Sequence, residues 1–270
     1  MNFIYKVAAE QKLVNSAVIL TAAGTVVLCS SITLVITGTG FRALMPAVPF
    51  ALSNGTLFAM AALSKFAALK LAPASVVFPV NKSNVLFVII IGLVFFSESP
   101  TNYQWLGIVF SLAVLLLISS EQIKLSGSNI LSGVGLALVA ALCTSLSMTA
   151  GKLASTRVDK NSYILLSYSI VVVVSLVAFL RKTQGEKKSA FKGYGVFLTG
   201  GFIGLLNYFG YKLVLSAFAA GSMSLVQPIL AMSILIPISL SIIIYREKLT
   251  IIRIIAIGLT LASILLIKSH

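Results

Sequence analysis

The sequence predicts an all-α polytopic membrane protein of about nine transmembrane helices, built as two copies of one helical pattern. Three observations carry that expectation. Apolar residues make up 59% of the chain and charged residues only 10%, with a mean hydropathy of +1.07, a balance that no water-soluble globule of 270 residues tolerates. The apolar residues fall into runs of about 20, the length a helix needs to cross the hydrocarbon while pairing all its backbone groups internally. Finally, "PVNKSNVLFVIIIGLVFFSE" and "PILAMSILIPISLSIIIYRE" each run from a proline to a glutamate over the same span, Pro79 to Glu98 and Pro228 to Glu247, offset by 149 residues.

The spans follow in order. The first, 14–37, is too long for a signal-peptide core and lacks a cleavage site followed by a polar mature domain, so it is expected to stay in the membrane. The next three are 44–70, 74–97 and 103–120; the third span carries Pro79 and a polar knot, Asn81, Lys82, Ser83 and Asn84, inside an otherwise apolar run. Spans 129–151 and 162–180 precede the charged connection "RKTQGEKKSAFK", read as interfacial, and 193–217, 222–245 and 251–268 complete the chain. Cys29 and Cys143 both lie within apolar spans, as small packing residues, so neither a disulfide framework nor a metal site is indicated.

The duplication holds at positions that hydrophobicity does not dictate. At the offset of 149, Ser75, Val77, Pro79 and Glu98 meet Ser224, Val226, Pro228 and Glu247, and Gly55 meets Gly204. From proline to glutamate is 19 residues, about 28 Å of helix, so each glutamate is expected at a membrane interface as a solvated boundary charge. The same register pairs 14–37 with 162–180, 44–70 with 193–217, 74–97 with 222–245 and 103–120 with 251–268. Span 129–151 has no partner, because "MNFIYKVAAEQKL" offers only a short amphipathic tail. The reading is a first repeat over 1–120 with four spans and a second over 129–268 with five. An odd number of helices per repeat makes tandem copies enter from opposite sides, an inverted-topology pair.

The segments "FAALKLAPASVVFPV" through "FFSE" followed by "YQWLGIVFSLAVLLLI", and their echo "LVLSAFAAGSMSLVQPI" through "YREKLT" followed by "IIRIIAIGLTLASILLI", resemble the EamA-type transporters of the drug/metabolite transporter superfamily. The resemblance covers both halves and implies ten helices in two inverted five-helix repeats, alternating-access movement of a small solute, and residence in the cell or inner membrane. It further implies a central cavity lined by the first, third, fourth, sixth, eighth and ninth helices. The present spans would then be helices two to ten, with the first helix of the family pattern missing from this chain.

Among candidate substrate-binding residues, Lys82 stands out. It lies about 12 Å into its span, where a charge is costly, next to Asn81, Ser83 and Asn84 and just after a proline that loosens the helix. Its expected role is to neutralise an anionic group on the substrate; the alternative is a lysine satisfied by neighbouring carbonyls and amides. In the second copy Ala231 takes its place. Asn54, Asn207, Tyr211 and Gln227 are further candidates, Asn207 and Tyr211 sharing a helix face at i, i+4. Lys65 and Lys212, nearer their helix ends, are expected to snorkel to the interface, and Gly200 and Gly204 are expected to serve close helix packing.

Other functions are narrowed by what the chain carries. The six acidic residues, Glu10, Glu98, Glu121, Asp159, Glu186 and Glu247, all fall in loops or at span ends, which disfavours the buried carboxylate of a proton-coupled exporter of lipophilic cations. The single histidine is His270 at the C-terminus, so an intramembrane enzyme has no Ser-His or Cys-His pair to use. No cofactor is expected. The net charge of +14 is spread over loop ends, which suits anionic lipid better than nucleic acid. The partners expected are therefore a small-molecule substrate and the bilayer. A non-transporting membrane subunit remains the alternative. Basic residues gather on the face of the N-terminus and predict that it is cytoplasmic, whereas a ten-helix pattern short of its first helix implies the opposite.

Overall fold

A computed structural model describes residues 15–39, 41–120, 130–180, 194–234 and 251–268. Its helices are α1 (Asn15–Ile36), α2 (Leu44–Leu71), α3 (Ala74–Lys82), α4 (Asn84–Phe95), α5 (Asn102–Ser120), α6 (Ile130–Arg157), α7 (Lys160–Leu180), α8 (Gly195–Ala220), α9 (Met223–Ala231) and α10 (Ile251–Lys268), with short 3-10 turns at Phe41–Ala43 and Met232–Ile234. Among the described residues six helical stretches are long and apolar enough to cross a membrane, and two more, Asn102–Leu117 and Ile254–Lys268, are apolar but shorter. The expected tail before residue 14, the 181–192 connection, Glu247 and the later part of span 222–245, from residue 235 on, lie outside the described residues. Large apolar side chains face outward along these helices, Val35 at 81% and Leu131 at 85% exposure among them, as helices that meet lipid rather than water require. The chain is a multi-pass membrane protein.

The offset of 149 is reproduced residue by residue. α3 and α9 are both nine residues long and start and stop at equivalent positions, 74 and 223, 82 and 231. The residue before each is extended, Pro73 at φ −64°, ψ 149° and Ser222 at φ −69°, ψ 143°. α2 and α8 end at equivalent positions, Leu71 and Ala220, and α5 and α10 begin at equivalent positions, Asn102 and Ile251. Span 74–97 is thus not one helix: it breaks at Ser83, one turn after Pro79, just as α9 gives way to a 3-10 turn at Met232, one turn after Pro228. Proline removes a backbone donor and crowds the preceding turn, which loosens a helix where it stands.

The chain folds into two compact units whose boundaries fall within α2, within α6 and at the end of α8. The first unit comprises residues up to Ala59 and Ala150–Ala219. Here α1 packs along α7, and Val26, Ala47, Ala51, Tyr163, Ile164, Tyr208 and Leu215 form its main core. Glycine permits the closest approaches: a Cβ on Gly204 would lie 2.6 Å from the Ala22 carbonyl oxygen and 2.5 Å from Thr25 Cβ, and one on Gly55 would lie 2.6 Å from Ile170 Cδ1. Gly204 therefore serves close packing, as expected of it, and Gly55, its match in the first copy, does the same. At the start of α7, Asp159 Oδ2 accepts from the Ser162 backbone N–H at 2.7 Å and its hydroxyl at 2.9 Å, a helix N-cap.

The second unit comprises Met60–Thr149 and Ala220 onward. Val85, Ile89, Ile108, Leu115 and Ala231 join α4, α5 and α9 in one core, and Ala68, Ala72, Val77 and Ala137 join the end of α2 to α3 and α6. α5 and α10 pair along their lengths, and the buried Ser263 hydroxyl donates to the Gly107 carbonyl at 2.6 Å. Thr101 and Gln104 cap α5 reciprocally: the Thr101 N–H donates to Gln104 Oε1 at 2.9 Å, and the Gln104 N–H to Thr101 Oγ1 at 3.4 Å.

Candidate functional site

In the second unit the interruption between α3 and α4 brings the polar knot into the span. Asn81 and Lys82 end α3, Ser83 forms the break, and the buried Asn84 opens α4. The Asn81 Oδ1 and Ser83 Oγ atoms are buried and have no hydrogen-bond partner among the described residues. Half-buried Lys82 has no carboxylate partner among them either. A buried acceptor without a donor costs free energy comparable to a lost hydrogen bond, so a cluster of them beside an uncompensated ammonium is a place that a polar ligand would stabilise. On α9, Gln227 is 3% exposed with its Oε1 similarly unpartnered, as is the hydroxyl of Ser224.

Glu98 departs from the boundary charge expected of it. Its Oε1 accepts from the Met223 N–H at 2.6 Å and its Oε2 from the Ser224 N–H at 2.8 Å, so the carboxylate seals the N-terminus of α9. Ser97 makes this possible by adopting a left-handed backbone, φ 50°, which turns the chain so that the Glu98 N–H returns to the Gly92 carbonyl at 3.2 Å. Gly92 leaves the room: a Cβ there would lie 2.6 Å from Glu98 Oε2.

The first unit carries a tyrosine network. Asn54 Nδ2 donates to the Tyr211 hydroxyl at 3.2 Å, and Tyr211 donates to the Tyr163 hydroxyl at 3.3 Å, tying α2, α8 and α7 together. One turn away on α8, the Tyr208 hydroxyl meets Thr33 Oγ1 at 2.7 Å and donates to Asn161 Oδ1 at 3.2 Å, tying α1 and α7 to α8. Tyr163 and Tyr211 stack with centroids 6.3 Å apart, and Tyr168 meets Tyr211 edge-on at 6.0 Å. Lys212 lies over the Tyr208 ring at 5.8 Å. Tyr211→Phe should cut one thread at a cost of about 1–2 kcal/mol, read as a fall of roughly 2–8 °C in the melting temperature of the purified protein; an unchanged melting temperature would show that the hydroxyl holds nothing.

Of the predicted site residues, Asn81, Lys82 and Asn84 gather at the α3–α4 break and Gln227 stands on α9, all in the second unit, while Asn54 and Tyr211 are bonded to each other in the first. Asn207 is half-buried, and no hydrogen bond joins it to the tyrosines despite its i, i+4 spacing from Tyr211. Sequence reasoning missed Tyr163, Tyr168, Asn161 and Thr33, whose partners lie on other helices. It also missed that Lys65 sits over the Phe78 ring on α3, 5.1 Å from its centroid.

The EamA-like transporter family model matches residues 4–120 and 131–269, one match for each half of the duplication. Among solved structures, one described as "Crystal structure of protein" superposes with a TM-score of 0.78 at 15% identity, covering 94% of this chain and 86% of that one, which is a likeness of fold. Curated proteins gave no match.

Proposed function

The chain belongs to the EamA-like transporter family, and from that premise we propose that it carries a small anionic or zwitterionic metabolite across a cell or inner membrane by alternating access, with Lys82 receiving the substrate's negative charge. The observation that carries the reading is an ammonium at the break of a spanning helix, beside unpartnered buried acceptors and without a carboxylate partner among the described residues. Carriers built from repeats place their sites at such discontinuous helices, where freed backbone and polar side chains can meet a solute that has shed its water. The matching ends of α3 and α9 support a pair of hinges, one per repeat. Asn81, Asn84 and Gln227, in the same unit as Lys82, would supply orienting hydrogen bonds. The described acidic residues Glu98 and Asp159 are occupied as helix caps, which speaks against a cation-for-proton exchanger.

The test is flux into proteoliposomes containing the purified protein, over a panel of labelled metabolites. Removing one partner of a desolvated charge pair costs about 2–5 kcal/mol, so Lys82→Ala should lower flux of the anionic substrate by about 30-fold or more while the variant still elutes as a folded monodisperse species. Undiminished flux by that variant would overturn the assignment of Lys82. A wild-type protein that moves nothing on the panel would instead favour a non-transporting subunit.

A further inference from the structure

Lys82 has a companion that the transport reading does not use. α2 ends at Leu71 and α3 begins at Ala74, so the two helices leave one tight turn side by side. Lys65 lies six residues before that turn and Lys82 eight residues into α3, depths of about 9 Å and about 12 Å along their axes. The Lys65 ammonium sits 5.1 Å from the centroid of Phe78, and Phe78 precedes Lys82 by one helical turn on the same face. The Phe78 ring thus stands between the two lysines along one helix face, and neither lysine has a carboxylate partner among the described residues. At the same bend lie the unpartnered oxygens of Asn81 and Ser83.

A purely structural role explains this poorly. At the equivalent positions of the second copy stand Val214 and Ala231. The repeat therefore folds without lysine at either place, and only the first copy carries the two lysines. Like charges held together inside a membrane mark a site whose missing counter-charge arrives with a ligand. One negative group would leave one ammonium uncompensated; two would match both.

We propose that Lys65 and Lys82 form a two-cation seat for a solute carrying two negative charges, a phosphate monoester or a dicarboxylate. The proposal rests on the reading of this chain as a carrier with Lys82 at its site, and it adds the valence of the substrate and a second binding residue. The Phe78 ring face meets the Lys65 ammonium one helical turn before Lys82.

The experiment measures uptake into proteoliposomes of glycerol 3-phosphate, succinate and lactate at pH 8, by the wild-type protein and by Lys65→Gln, Lys65→Met and Lys82→Gln, each checked for a monodisperse elution profile. At least one of the two dianions should enter 10-fold or more faster than lactate, and both Lys65 variants should bring that ratio close to one. Which dianion wins identifies the anionic group. A dianion taken up no faster than lactate, or a ratio that survives both Lys65 substitutions, overturns the two-cation seat. If Lys82→Gln abolishes uptake while the Lys65 variants match wild type, the pair is wrong and the carrier reading stands. If Lys82→Gln also transports normally, the carrier reading of Lys82 falls with it.

Discussion

Replacing Gly204 by alanine should prevent the first unit from closing, and the variant should elute as aggregate or melt far below the wild type. The added Cβ would lie 2.6 Å from the backbone carbonyl oxygen of Ala22 and 2.5 Å from Thr25 Cβ. Neither is the loose end of a flexible side chain, so the relief available is separation of α8 from α1. That separation would strain the contacts along the same seam, among them Tyr208 to Thr33 at 2.7 Å and the core of Val18, Ala22, Val196 and Ile203. Overpacking of this kind costs about 1–3 kcal/mol when neighbours yield, and more when backbone is struck. Gly201 and Gly210 provide the control on the same helix, since a Cβ on either meets nothing within 4 Å. Gly201→Ala and Gly210→Ala should fold as well as wild type, helped slightly by alanine's higher helix propensity. Equal tolerance at all three positions would show that α1 and α8 do not meet through Gly204.

Glu98→Gln should loosen the N-terminus of α9. Both carboxylate oxygens are engaged, one with the Met223 N–H and one with the Ser224 N–H. Glutamine presents a single acceptor and turns an N–H₂ group toward the other donor, so one bond is lost and the survivor no longer carries full charge. Hydrogen bonds to charged groups contribute about 1.5–3 kcal/mol each, and the variant should lose about 2–3 kcal/mol, a fall of roughly 4–12 °C in melting temperature. Hydrogen exchange at Met223 and Ser224 should accelerate, while the amides of α1 and α7, in the other unit, keep their protection. Unaltered exchange at those two amides would remove Glu98 from the cap.

Much of the fold was legible because duplication left marks at residues whose backbone chemistry is exacting. Pro79 and Pro228, with Gly55 and Gly204, fix a register in which α3 and α9 share both ends. The break at Ser83 was not legible, since apolar residues continue through it and a membrane helix can absorb a proline without parting. Site chemistry divides in the same way. Lys82 could be singled out because depth makes a charge conspicuous in one helix considered alone. Glu98 was read as a solvated charge because its partners lie 125 and 126 residues further on. Thr33, Asn161 and Tyr163 look like ordinary packing hydroxyls until Tyr208 and Tyr211 are placed beside them. The contact of Lys65 with the ring of Phe78 joins two spans, and no span-by-span reading brings them together.

The bond between Thr33 and Tyr208 closes a loop of 175 residues, and that fact has a bearing on biogenesis. A chain emerging at 5–20 residues per second delivers Tyr208 about 10–35 s after Thr33. During that interval α1 is in the membrane with its glycine-fitted face open, and Glu98 likewise waits for an α9 not yet made. A nascent protein of this design therefore displays uncommitted polar and small-residue surfaces to lipid and to any membrane chaperone until its second half arrives. Ribosome stalling before residue 194 would trap a species whose first helices are inserted but whose first unit has no α8 to close it.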